Sequence, residues 1–132
     1  MYCLDTNIII FALKKQSDSA LYQKMKTNLL DQNLGTTTIS SFELLYYSYK
    51  NEATKSLEMR KNFLNMLDIF SFDYHTSEIA AKLKVTAEKK GETVDILDLQ
   101  IASICLANDL ILVTNNIKHF KNIPDLKLED WT

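Results

Sequence analysis

Short strand-like runs alternate with helical segments along the whole chain, and that alternation restricts the fold more than any other feature. Strands are expected at Met1 to Leu4, Thr36 to Ile39, Ile69 to Phe72, Leu110 to Val113 and Leu126 to Leu128. Between them, apolar residues recur at helical spacing. A first helix through Ile8 to Leu13 is capped by Thr6 or Asn7, whose side-chain oxygens suit the first free backbone donors. A second covers about 19–33 and stops at Asn33-Leu34-Gly35. A third, capped by Ser40 or Ser41, carries Phe42, Leu45, Tyr46 and Tyr49 on one face. A fourth spans Thr54 to Leu67, a fifth opens at Thr76 and ends at Lys90-Gly91, and a sixth follows the cap Asp95 as far as Asn108. Elements in this order give an α/β fold, with a central parallel sheet of four to five strands, helices on both faces, and ligands beyond the carboxyl ends of the strands.

The chain has 132 residues, 46% of them hydrophobic, which is room for one domain, 1–132. Fifteen Lys and Arg against seventeen Asp and Glu leave a charge of −2. A global basic field is thereby excluded, so any nucleic-acid binding has to be local, metal-assisted or shared with a partner. Cys3 and Cys105 lie in separate apolar runs without a second Cys nearby, the pattern of two buried thiols in a reducing compartment. No apolar run approaches the ~20 residues of a membrane span. Nor does the start of the chain show a basic region followed by an apolar stretch, so a cytoplasmic protein is expected. Two glycines cannot build a dinucleotide fingerprint or a phosphate-binding P-loop.

Four polar stations stand at the edges of the apolar segments: Asp5, Glu43, Asp98 and the pair Asn115-Asn116. Asp5 closes the first strand and Asn115-Asn116 follows the Leu110 strand, so both belong to the carboxyl edge of the sheet. Glu43 and Asp98 each sit about one turn into a helix, from which both can reach the same edge. Carboxylates that meet repel one another unless a cation neutralises them. Mg²⁺ or Mn²⁺ suits a carboxylate and amide set, keeps several waters, and completes its shell with substrate phosphate. It also polarises a phosphoryl oxygen and activates a bound water. The structural alternative is that Asp5, Asn7, Asp95 and Asn116 are caps and that Glu43 answers the helix dipole. Asp95 is read as a cap, and Asp98 as a ligand.

Other residues carry weaker signals. Tyr46, Tyr47 and Tyr49 could stack on bases, but at helical spacing beside Leu44 and Leu45 they are read as core or subunit-interface residues. Lys14-Lys15, Arg60-Lys61 and Lys89-Lys90 are candidate phosphate contacts that also suit solvated helix ends. His75 and His119 have no ligand spacing to each other, and neither is assigned a role.

Together these residues resemble a known family. Leu4-Asp5-Thr6-Asn7, Ser41-Phe42-Glu43-Leu44-Leu45-Tyr46, Asp98-Leu99-Gln100-Ile101-Ala102, Val113-Thr114-Asn115-Asn116 with Lys118-His119-Phe120, and Leu128-Glu129-Asp130-Trp131 look like the successive motifs of PIN-domain ribonucleases, specifically VapC toxins of toxin–antitoxin pairs. The resemblance covers essentially the whole chain. It implies a PIN-like parallel sheet, a Mg²⁺- or Mn²⁺-dependent endoribonuclease acting on RNA such as tRNA or rRNA, a homodimer, and a small VapB-like antitoxin that inserts a segment near the acidic pocket. Carried over residue by residue, Asp5, Glu43 and Asp98 match the metal-binding acids. Asn116 stands where many members have a fourth acid, and Thr6, Asn7, Thr114 and Asn115 become candidates for orienting carboxylates or water. Three alternatives stay open: a PIN-fold RNA-processing nuclease outside a toxin role, a non-catalytic PIN-fold binding module, and a phospho-acceptor receiver domain. The receiver expects adjacent acids after the first strand, where this chain has Asp5-Thr6.

Overall fold

The computed structural model describes residues 1–14 and 19–132; Lys15 of the Lys14-Lys15 pair lies outside them. Five strands form one parallel sheet in the order β3-β2-β1-β4-β5: β1 Tyr2–Leu4, β2 Leu34–Thr37, β3 Asp68–Phe70, β4 Ile111–Val113 and β5 Lys127–Glu129. The helices among the described residues are α1 Thr6–Lys14, α2 Ala20–Leu30, α3 Thr38–Lys50, α4 Thr54–Leu64, α5 Tyr74–Lys89, α6 Ile96–Ala107 and the single turn α7 Ile117–Phe120. Parallel neighbours need crossover connections, and the helices supply them.

Side chains alternate across the strands and divide the core in two. Leu4 of β1 and Val113 of β4 pack with Ile8, Ile9, Leu44 and Phe63 on one face. Cys3 and Leu112, their immediate neighbours, pack with Ile101, Cys105 and Phe120 on the other. The two buried thiols meet there, and their mutual contact and burial hold the Cys3 thiol well above its usual range. That is the inert reading expected from the sequence.

Several boundaries differ from the sequence-based expectation, each for a local reason. The second helix ends at Leu30 through Asp31 and a left-handed Gln32 (φ 53°), so Gly35 does not stop it. Gly35 lies inside β2, where an added Cβ would stand 2.7 Å from the Asp68 carbonyl oxygen and 2.8 Å from the Phe70 ring. β2 ends two residues earlier than expected because Thr37, rather than Ser40 or Ser41, caps α3: its hydroxyl accepts from the Ser40 N–H at 3.0 Å. α5 starts at Tyr74, capped by Asp73, while Thr76 closes the reciprocal half of a capping box. Asp95 caps α6 as expected.

The inward face of α3 also differs. Ser40, Leu44 and Ser48 are buried, whereas Phe42, Tyr46 and Tyr49 point outward at 59%, 47% and 61% exposure. A periodic aromatic row identifies a face without telling which way it turns, and here the row stacks on itself, Phe42 on Tyr46 at 6.0 Å. Within the isolated chain these tyrosines are therefore not core.

Candidate metal centre

In the order β3-β2-β1-β4-β5, sequence direction reverses between β1 and β4, which makes their carboxyl ends the topological switch point. Asp5 emerges there, directly after β1, and is 6% exposed. Its backbone N–H donates to the Val113 carbonyl at 2.9 Å, and its own carbonyl accepts the first turn of α1 from Ile9. Asp5 therefore occupies the cap position expected for Thr6 or Asn7. Both carboxylate oxygens are held: the Thr6 N–H donates to Oδ1 at 2.8 Å, and the Thr114 hydroxyl donates to Oδ2 at 2.8 Å.

Two hydroxyls knit the centre together. Thr6 donates its Oγ1–H to Oε1 of Glu43 at 2.9 Å, so one residue serves an acid with its amide and another with its side chain. Thr114 passes a hydrogen bond along, accepting from the Asn116 N–H at 3.0 Å while donating to Asp5. Asp98 approaches from the first turn of α6, whose cap Asp95 accepts from the amides of Leu97 and Asp98. Its Oδ2 meets Nδ1 of His119 at 3.1 Å.

Burial is the largest influence on all three acids and raises each from its ordinary value. For Asp5 the bonds from Thr114 and Thr6 oppose that rise, as does the neighbouring His119. For Glu43 the Thr6 bond opposes it, while the charges of Asp5, Asp98 and Asp95 add to it. For Asp98 the charges of Asp95 and Asp5 add to it and His119 opposes it. The acids are thus close enough to penalise one another's ionisation, the condition that a cation relieves.

Not every candidate joins this network. Asn7 is exposed on α1 and makes no side-chain hydrogen bond among the described residues. Asn116 contributes its backbone N–H rather than its amide side chain and stands before α7 without a side-chain cap bond. Asn115 keeps a buried Oδ1 with no partner among the described residues. His119, given no role by its spacing, is a direct partner of Asp98. α7 brings it there by packing on α6, and the only sequence hint was Lys118-His119-Phe120 following the Asn pair. Arg60 is engaged in structure, donating to the Leu44 carbonyl at 2.8 Å and to Ser48 Oγ at 3.0 Å. Lys61 lies over the Tyr49 ring at 5.9 Å.

Among the described residues no three His, Cys, Asp or Glu side chains close into a coordination cage. Mg²⁺ does not require one: it binds through one or two carboxylates, retains waters and takes the rest of its shell from phosphate. An all-oxygen set of one buried and two half-buried acids that repel one another, beside an amide oxygen without a partner among the described residues, fits such a hydrated ion.

Fold and site together define an α/β protein with an acidic centre at its switch point, suited to phosphate chemistry. A family profile described as PIN domain matches residues 2–126. The chain belongs to the PIN domain family, among its VapC ribonucleases. It is 38% identical to Ribonuclease VapC2 of Rickettsia felis, over 99% of this chain and 98% of that one. It is 30% identical to the tRNA(fMet)-specific endonuclease VapC of Salmonella typhimurium, over 98% and 97%. Among solved structures, VapBC2 from Rickettsia felis bound to a DNA fragment from their promoter superposes with a TM-score of 0.90 at 33% identity, covering 99% of this chain and 98% of that one. DNA-bound VapBC from Salmonella typhimurium gives 0.90 at 27%, with full coverage of both chains.

Proposed function

We propose that this chain is a metal-dependent endoribonuclease and the toxin of a toxin–antitoxin pair, hydrolysing RNA phosphodiester bonds. The observation that carries the reading is Asp5 at the switch point, tied through Thr114 to the β4 end and through Thr6 to Glu43. A non-catalytic module has no use for a buried Asp5 beside half-buried Glu43 and Asp98, whose ionisation the Asp5 charge opposes. Relatives over nearly the full length are named ribonucleases, and one of them a tRNA endonuclease.

Asp5, Glu43 and Asp98 hold the ion, Mg²⁺ with Mn²⁺ as substitute. When bound, it neutralises the acids, polarises a phosphoryl oxygen and supplies an activated water. Thr6 and Thr114 fix the carboxylate oxygens so that they need not reorganise, and His119 does the same for Asp98. Asn116, with Asn115 beside it, would hold a water or the substrate. No side-chain general base is required.

The protein partners proposed are a second copy of the chain and a small VapB-like antitoxin. Two exposed apolar surfaces among the described residues support them: the outward aromatic row of α3, and a groove of about 250 Å³ between α1, α2 and α4 lined by Leu13, Tyr22, Met25, Leu29, Phe63 and Met66. Among the described residues no helix is long and apolar enough to cross a membrane, which agrees with a cytoplasmic role. The deciding experiment incubates purified protein with tRNA and rRNA in Mg²⁺, Mn²⁺ or EDTA. Cleavage by the wild-type chain that is abolished in EDTA and by Asp5→Asn is expected. Equal behaviour of wild type and Asp5→Asn would sink the reading.

A further inference from the structure

A cleft of about 270 Å³ opens beside the acidic centre, with Asp98 and His119 on its wall. The end of α5, the segment from Lys90 to Asp95, the start of α6, α7 and the residues after it line the cleft. Its apolar lining comes from Leu83, Val94, Leu99, Ile123 and Pro124. Lys90 and Lys118 also line it, both are exposed, and neither forms an ion pair among the described residues. Lys90 belongs to the Lys89-Lys90 pair, a candidate phosphate contact in the sequence that also suits a solvated helix end.

Three acids share the lining, and two of them are already engaged. Asp95 accepts from two amides of α6 and Asp98 meets His119, which leaves Glu92 as the one lining acid whose carboxylate has no hydrogen-bond partner among the described residues. The cleft thus sets two cations without ion pairs, Lys90 and Lys118, beside three acids, of which Asp98 faces the centre, and an aliphatic lining. We infer that it seats one unstacked nucleotide of single-stranded RNA, the neighbour of the phosphate that is cut. The base lies against the aliphatic side chains and its phosphate is held by Lys118 and Lys90.

The cleft is of the size of one nucleotide: its volume of about 270 Å³ lies at the lower edge of the ~300 Å³ at which small-molecule sites begin. Unpaired, splayed bases are what proteins read in RNA loops, with His among the side chains that stack on them. Among the described residues the groove between α1, α2 and α4 is lined by no acid and by one cation, Lys26, and it lies away from the acidic centre.

The inference rests on the endoribonuclease reading, and the test separates the two. The full-length chain in EDTA is titrated with 5′-AMP and 5′-UMP while its amide NMR resonances are followed. Saturable shifts at Thr93 and Asn122 are expected. Lys118→Glu should weaken binding about tenfold, the worth of one lost charge-assisted contact, and Thr86→Trp, which fills the cleft from an exposed lining position, should weaken it as well. Lys121→Glu, the same charge change outside the cleft, should bind as wild type. On RNA with Mn²⁺, Lys118→Glu should raise KM about tenfold with kcat within about twofold, the mark of lost ground-state binding. Unmoved cleft resonances, or wild-type binding by both cleft variants, would overturn the seat even if RNA is cleaved. Nucleotide binding that obeys the variants in a chain that cleaves no RNA would uphold the seat and overturn the nuclease reading.

Discussion

Thr114 concentrates the demands of the centre in one hydroxyl. It is fully buried, accepts from the Asn116 N–H and donates to Asp5, so it fixes both a carboxylate and the turn that leads into α7. Thr114→Val keeps the shape and removes both bonds. RNA cleavage and Mn²⁺ affinity should fall about 10–100-fold, the usual effect of losing a group that orients a ligand, and Thr114→Ser should restore them. Isothermal titration with Mn²⁺ beside a cleavage assay checks this; an unchanged affinity in Thr114→Val would detach Thr114 from the site. At this scale the acids were readable because Asp5 and Asp98 sit where a strand ends or a helix begins, positions that pattern reveals. His119 was not readable. A four-residue helix has no period, and its meeting with Asp98 depends on how α7 packs against α6.

Elements place these residues, and two of them make sharp predictions. Gly35 permits β2 to lie against β3, since a Cβ there collides with the Asp68 backbone. Gly35→Ala should therefore cost about 1–3 kcal/mol by overpacking. Urea denaturation reads that loss, and a stability equal to wild type would contradict the close approach. Because β2 leads into the helix that carries Glu43, cleavage should fall as well. The second concerns α5. The Thr76 amide, donating to Asp73, holds that carboxyl below its ordinary value of 3.8. A depressed carboxylate stabilises the fold above its unfolded value and loses that contribution as pH falls through the folded one. The neutral cap in Asp73→Asn lacks this dependence. Wild type should be the more stable of the two at neutral pH, and the difference should shrink below about pH 4; a gap that is constant down to pH 2 would refute the cap's charge. The order of elements was legible from alternating periodicity, while boundaries moved by the reach of single caps. Thr37 captured Ser40 and turned the expected strand end Thr38-Ile39 into helix. Nothing in the sequence ranks Thr37 above Ser40 or Ser41 as the cap, because all three carry a hydroxyl near the break.

For the molecule as a whole, the acidic centre is a source of instability that the core has to offset. Asp5, Glu43 and Asp98 are partly or fully removed from water and oppose one another's ionisation, so without a cation the folded chain carries charges that the unfolded chain would solvate freely. The sheet tolerates this because the switch point is fixed by β1 and β4, both packed into the two-sided core. A ligand that binds only the folded state stabilises it by about 2.7 kcal/mol at one hundred times its Kd. Saturating Mn²⁺ should therefore raise the melting temperature by several degrees, and EDTA should reverse the rise. Asp98→Asn should do the opposite of an ordinary core mutation: the metal-free protein should melt at or above wild type, while the Mn²⁺-induced rise should disappear along with RNA cleavage. Differential scanning fluorimetry with and without Mn²⁺ measures both. If Asp98→Asn lowered the metal-free melting temperature and kept the Mn²⁺ response, the carboxylates would be structural polar groups, and the centre would lie elsewhere in the chain.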